Sequence, residues 1–150
     1  MANPRPIVTL TSDFGIADHY VAAMKAAILR HCPEAMLIDV THQIPPQNVL
    51  AGSIVLERAV DAFDAGTVHL AVVDPTVGTE RRLLIARIRS QWIVCPDNGL
   101  ITWTFHRWGG EQEASLNELI WRPAEVSATF HGRDVMAPAA GKLAGGADVT

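Results

Sequence analysis

Apolar and polar residues change rhythm along this chain in a way that separates strands from helices. Residues 6–11, PIVTLT, form a short apolar and β-branched run that stops at the acid and turn glycine of SDFG, as a first strand and its loop do. Val21, Met24 and Ile28 then recur at helical intervals, so the pattern predicts a helix that Asp18 caps, that runs through about His31 and that Pro33 stops. AMLIDVT, residues 35–41, reads as a second strand. The prolines of HQIPPQN lead into a second helix near 47–63, with Val49, Ile54, Leu56, Val60 and Phe63 as its apolar positions. After the turn at Gly66, GTVHLAVV is a third strand ending at Asp74; LLIARI and WIVC are two more, the last followed by PDNG.

The order strand, helix, strand, helix, strand predicts an α/β fold with a mainly parallel central sheet sandwiched between helices. From 100 to 125 the pattern decides less: ITWTFHRW suits a short helix, and EASLNE is ambiguous up to Pro123. GRDVMAPAAGKLAGG reads as helical in spite of Pro138, and no internal repeat, low-complexity tract or linker divides the chain.

Composition narrows the class. A chain of 150 residues fits one domain and buries roughly 68–70% of the surface its unfolded form exposes. Hydrophobic content of 49% with 19% charged residues excludes disorder, and the apolar residues are too dispersed to form a membrane span. The formal charge of -4, with Lys and Arg single apart from the pair Arg81 and Arg82, argues against nucleic acid and suits a small cationic ligand. Two cysteines make no disulfide framework, and MANPRPIVTL lacks the apolar core of a signal peptide, so a reducing cytoplasm is the expected location.

Ligands of open α/β sheets bind beyond the carboxyl ends of the strands. Asp13, Asp74 and Asp97 follow the first, third and fifth strands at that edge, while Asp39 lies inside the second strand and is followed by Thr41 and His42. Each acid also fits a turn or a helix cap, and Asp74 also fits a loop-fixing salt bridge with Arg81 or Arg82. A carboxylate metal site from Asp13, Asp39, Asp74, Asp97 and His42 remains an open alternative, because such ligands need not be close in sequence. His131, before a glycine and an Arg-Asp pair, starts the last helix; His19, His31, His69, His106, Cys32 and Cys95 are read as structural. No dinucleotide fingerprint, P-loop, H-E-x-x-H, paired C-x-x-C or G-x-S-x-G occurs.

Taken together, TSDFGIADHYVAAMKAAI, IDVTHQIPPQNVLAGS, GTVHLAVVDPTVGTERR, PDNGL and TFHGRDVMAPAA resemble the S-adenosylmethionine hydrolases that form adenosine and methionine, relatives of the fluorinating and chlorinating enzymes. The resemblance runs from about residue 7 to 145 and keeps the motifs in order. It implies a water-activating triad at Asp74, Arg81 and His131, ribose hydroxyls held by Asp13, and the substrate's amino group held by Asp18. It implies S-adenosylmethionine as substrate and no cofactor. The halogenating relatives lack the acid and the histidine at the places of Asp74 and His131, so keeping both favours water as nucleophile. Arg81 beside Asp74 would leave that carboxylate ionised and a weak base, which makes His131 the expected proton acceptor. The alternatives left open are a halide-dependent halogenase, a metal-dependent hydrolase that uses the strand-end acids, and a non-catalytic adenosine-binding module.

Two departures from the family pattern stand out. The loop usually reads Asp-Pro-Gly-Val-Gly, and Thr76 occupies the place of the first glycine; were positive φ required there, a β-branched residue would be strained. The family also carries a smaller C-terminal β-barrel domain that completes the site across a homotrimer interface. Residues 1–150 correspond to the N-terminal α/β domain alone, so the expectation is a fragment of a longer protein, weakly active or inactive by itself.

Overall fold

A computed structural model describes residues 4–149. Its sheet contains β1 (Ile7–Ser12), β2 (Met36–Thr41), β3 (Val68–Val72), β4 (Leu83–Ile88), β5 (Gln91–Pro96) and β6 (Ser115–Glu118), in the spatial order β2-β1-β3-β5-β4-β6. β1 pairs in parallel with β2 and β3, and β3 with β5; β4 is antiparallel to both β5 and β6. The sheet is thus mostly parallel, with β4 running against its neighbours. The ambiguous EASLNE supplies β6, a short, largely exposed edge strand whose polar residues carry no buried face for a period-two pattern to reveal.

The reversal at β4 comes from a two-residue hairpin. Ile88 pairs with Gln91, and Arg89 and Ser90 between them have φ of 52° and 57°, the left-handed pair that matches the twist of a tight antiparallel turn.

Helices cover both faces: α1 (Tyr20–His31), α2 (Val49–Ala62), α3 (Thr102–Trp108) and α4 (Ala137–Ala144), the last entered through a π-helical turn at Gly132–Met136. Alternation along the strands sorts the core into two layers. Val68, Leu70 and Val72 of β3 join Met24 and Ile28 of α1 and Ala140 of α4. Ala71 and Val73 face the other way, into Leu56 and Val60 of α2 and Trp108 of α3. Gly141 lets α4 lie against α1, because a Cβ there would sit 2.6 Å from the Ile28 carbonyl oxygen. Pro138 is accommodated in the first turn of α4, where its missing N–H follows the widened π turn.

α1 begins later than the pattern predicts. His19 occupies the N-cap position without a side-chain cap, and the Asp18 carboxylate accepts from the His19 backbone N–H and ring instead, at 2.7 Å each. α2 is capped by Asn48, whose Oδ1 accepts from Ala51 N–H at 3.0 Å. Between the layers a buried polar line crosses the sheet: Thr9 Oγ1 lies 2.7 Å from His69 Nδ1, and His69 Nε2 lies 2.6 Å from Gln91 Oε1. Burial pushes the His69 imidazole down to about 4. Among the described residues no helix is long and apolar enough to cross a membrane.

Candidate functional site

β1, β3 and β5 are adjacent in the sheet, so the acids that follow them stand side by side along one edge. Arg81 and Arg82, just ahead of β4, divide two of these acids between them. Arg81 Nε donates to both oxygens of Asp74, at 2.8 and 3.0 Å, and its Nη2 donates to Oδ2 as well. Arg82 donates to Asp97 Oδ2 from Nε at 3.0 Å and Nη2 at 2.7 Å. The two pairs differ in surroundings: the Arg81 and Asp74 side chains are 8% and 5% exposed, those of Arg82 and Asp97 63% and 33%. The solvated Arg82 pair fixes the loop edge; the enclosed Arg81 pair is the one that faces a pocket.

His131 joins the enclosed pair from a distant part of the chain. Arg81 Nη2 lies 3.0 Å from His131 Nδ1. A guanidinium has donors only, so Nδ1 accepts and the ring proton resides on Nε2. Burial and the Arg81 charge both push the His131 imidazole below its ordinary value, outweighing Asp74. His131 thus turns Nδ1 toward Arg81 and carries its ring proton on Nε2.

Three contacts hold the segment before His131 in place. Gly78 has φ of 80°, and a Cβ there would meet the Ala128 carbonyl oxygen at 2.6 Å, so only glycine lets the Asp74–Arg82 loop lie against residues 127–131. Asp134 Oδ2 accepts from Ser127 N–H at 2.8 Å, tying that segment to the π-helical turn. Phe130, beside His131, stacks on Tyr20 with ring centroids 5.1 Å apart.

Asp13 and Asp74 share the walls of a cleft of about 140 Å³, together with Phe14, Gln47, Val77, Thr129 and Gly132. Asp13 Oδ2 accepts from Gln47 N–H at 2.8 Å. Gln47 adopts φ of 62° to present that N–H. Thr76 is not among the residues with positive φ, and its hydroxyl donates to Asp74 Oδ1 at 3.3 Å. Asp18 is absent from this cleft; it lies exposed farther along the same loop, its carboxyl held below the usual range by the backbone and ring N–H of His19.

Asp74, Arg81, His131 and Asp13 are thus brought together, while Asp97 and Asp39 are engaged elsewhere. Asp39 accepts from Lys25 Nζ at 2.7 Å and pairs with His42 Nε2 at 2.9 Å. Among the described residues no three or more His, Cys, Asp or Glu side chains form a group that could hold a metal ion. Sequence reasoning missed Gln47, Gly78 and Phe130. Gln47 acts through its backbone and Gly78 through a missing side chain, so neither offers a side-chain signal; Phe130, adjoining His131, was the one that could have been found.

Residues 8–150 match the family described as the SAM hydroxide adenosyltransferase N-terminal domain. The chain is 46% identical over 145 residues to a (R)-S-adenosyl-L-methionine hydrolase of Salinispora tropica, covering 96% of this chain and 55% of that protein. It is 42% identical to the hydrolase of the same name from Methanocaldococcus jannaschii, covering 87% and 50%. A fluorinase of an Actinoplanes species is 29% identical, covering 97% and 56%. A crystal structure of a conserved Thermotoga maritima protein superposes with a TM-score of 0.87 at 40% identity, over 95% of this chain and 56% of that one. The chain spans about half the length of the curated relatives it matches.

Proposed function

This chain belongs to the SAM hydroxide adenosyltransferase N-terminal domain family, and from that membership we propose that it carries the water-handling side of an S-adenosyl-L-methionine hydrolase. The reaction is attack of water on the 5′ carbon of the substrate, releasing adenosine and L-methionine. The observation that carries this reading is the enclosed chain Asp74–Arg81–His131, with Asp74 sharing a cleft with Asp13. Preference for water over halide rests on identity, 46% to a hydrolase against 29% to a fluorinase.

In this reading the water oxygen bonds to C5′ as the C5′–sulfonium bond breaks, and its electron pair leaves with methionine as a neutral thioether. No general acid and no cofactor are required. Positioning the nucleophile in line and excluding other solvent supply most of the rate. His131 Nε2–H donates to the water oxygen and orients it, Asp74 accepts one of its hydrogens, and Arg81 holds both in register; once bonded to C5′ the oxygen is acidic enough for even an arginine-paired, weakly basic carboxylate to take the released proton. Asp13 Oδ1 accepts the ribose hydroxyls. Asp18, ionised on the same loop, pairs with the substrate's ammonium.

Pockets for drug-sized ligands run to about 300–1,000 Å³, and the cleft here is about 140 Å³. The proposal therefore includes further walls from a second domain and from neighbouring protomers of a homotrimer. A cytoplasmic location is part of the reading, supported by Cys32 and Cys95, both buried and free.

The test is incubation of the complete gene product with S-adenosylmethionine in ¹⁸O water, with and without chloride, fluoride and a chelator, followed by chromatography and mass spectrometry. The expected products are methionine and adenosine with the label on its 5′ oxygen, insensitive to halide and chelator. Unlabelled adenosine, halogenated adenosine or intact substrate would overturn the proposal.

A further inference from the structure

Ser12, His42 and Asp39 lie outside the roles given so far, yet they form one hydrogen-bonded line that ends beside Asp13. Lys25 Nζ donates to Asp39 Oδ2 at 2.7 Å, His42 Nε2 lies 2.9 Å from Asp39 Oδ1, and Ser12 Oγ lies 2.7 Å from His42 Nδ1. Ser12 is fully buried and His42 is 4% exposed, while the Asp39 side chain is 42% exposed. The line therefore runs from the surface inward.

Its polarity follows from the donors available. Hydrogen bonds from Lys25 and His42 hold the Asp39 carboxyl below its ordinary range in spite of partial burial. An ionised carboxylate only accepts, so His42 carries its proton on Nε2, and its Nδ1 receives the Ser12 hydroxyl. With that proton committed, the Ser12 oxygen turns a lone pair to Phe14 N–H, 3.3 Å away. Composition suggests a nucleophilic triad, but Ser12 has no access to a ligand.

Instead the line secures a loop. Gly15 N–H donates to the His42 carbonyl at 2.7 Å, Ile44 N–H to the Ser12 carbonyl at 3.3 Å, and Gln47 N–H to Asp13 Oδ2 at 2.8 Å. Residues 12–15 and 42–47 are thereby joined on both sides of Asp13, and the side-chain bond between Ser12 and His42 is the buried one among these links.

We infer that Asp39, His42 and Ser12 are positioning residues that hold the Asp13 carboxylate in the orientation that accepts a ligand's vicinal hydroxyls, without touching the ligand. This rests on the reading of Asp13 given above. A pair of nucleosides separates the two ideas: adenosine, which has the diol, and 2′,3′-dideoxyadenosine, which lacks it. Calorimetric titration of the complete gene product, wild type and variants, is the measurement, together with steady-state kinetics on S-adenosylmethionine.

Ser12→Ala is expected to weaken adenosine about tenfold and raise KM by a similar factor, leaving kcat within about threefold and dideoxyadenosine affinity unchanged. Asp39→Ala, which cuts the line at its exposed end and leaves the core intact, is expected to weaken adenosine about threefold with the same selectivity. Variants that bind adenosine as tightly as the wild type, or that lose both nucleosides equally, would overturn the relay. A wild-type protein that binds both nucleosides equally would overturn the Asp13 reading and the relay with it.

Discussion

Asp74 and Arg81 offer the sharpest test of how the site is held together. Their side chains are 5% and 8% exposed, so removing either charge strands the other in a poorly solvated place. The Coulomb attraction across such a pair is about 4 kcal/mol at an effective dielectric of 20, and breaking a buried pair costs about 3–5 kcal/mol. Asp74 also lines an open cleft, which admits water and favours the lower end of that range. Asp74→Asn and Arg81→Gln are each expected to cost about 3 kcal/mol. The double variant, with a neutral amide pair in place of the two charges, is expected to cost about 2 kcal/mol rather than the roughly 6 of a simple sum.

Urea unfolding followed by tryptophan fluorescence measures this directly. With a slope near 2 kcal/mol/M, each single variant should unfold about 1.5 M earlier, and the double variant about 1 M earlier. Two single variants that each cost under about 1 kcal/mol, with additive effects in the double, would refute the claim that the pair is enclosed. Hydrolysis gives an independent reading of the proposed mechanism: activity should be lost in Asp74→Asn and in the double variant, which have no carboxylate to take the water's proton, and in Arg81→Gln, which leaves Asp74 and His131 without the guanidinium that joins them.

Three further outcomes follow from other parts of the chain. His69 titrates at about 4 in the fold against 6.5 as its ordinary value, so the unfolded chain binds the extra proton between those limits. Stability is complete above pH 6.5 and falls by about 3 kcal/mol toward pH 4 on this account; His69→Asn should remove that share of the slope, measured by urea melts across the range. Ser90, at φ 57° in the hairpin, should stabilise the protein by about 0.5–1 kcal/mol when changed to glycine, read as a higher melting temperature. Gly78→Ala should push the Asp74–Arg82 loop away from Ala128 and draw Arg81 off His131, so the His131 ring should titrate nearer its ordinary value by NMR, and an unchanged titration would defeat the coupling.

What the chain discloses and what it conceals divide along a physical line. Strand-end acids are legible because β1, β3 and β5 are marked by apolar runs that stop at Asp13, Asp74 and Asp97, and a parallel sheet sets such ends side by side. Which arginine serves which acid is not legible, because it depends on the direction each side chain takes ahead of β4, a phase fixed only when Leu83 pairs with Pro96 on β5. The tautomer of His131 is hidden for a similar reason: it is set by Arg81, which lies far away in sequence. Asp18 misleads because an aspartate before a helical pattern signals a cap, whereas here its carboxylate is taken by His19 before the helix begins.

Thr76 shows how a family pattern can mark the right loop and the wrong constraint. A glycine expected at that place invites the inference that positive φ is required there. The left-handed residue of this loop is Gly78, two places on, where the Ala128 carbonyl also excludes a side chain. Position 76 is free to carry a β-branched residue, and the hydroxyl it brings donates to Asp74 Oδ1. The departure therefore adds a donor to the carboxylate that a glycine could not supply. Its effect belongs to the acid's hydrogen bonding, and the backbone of the loop is unstrained at that residue.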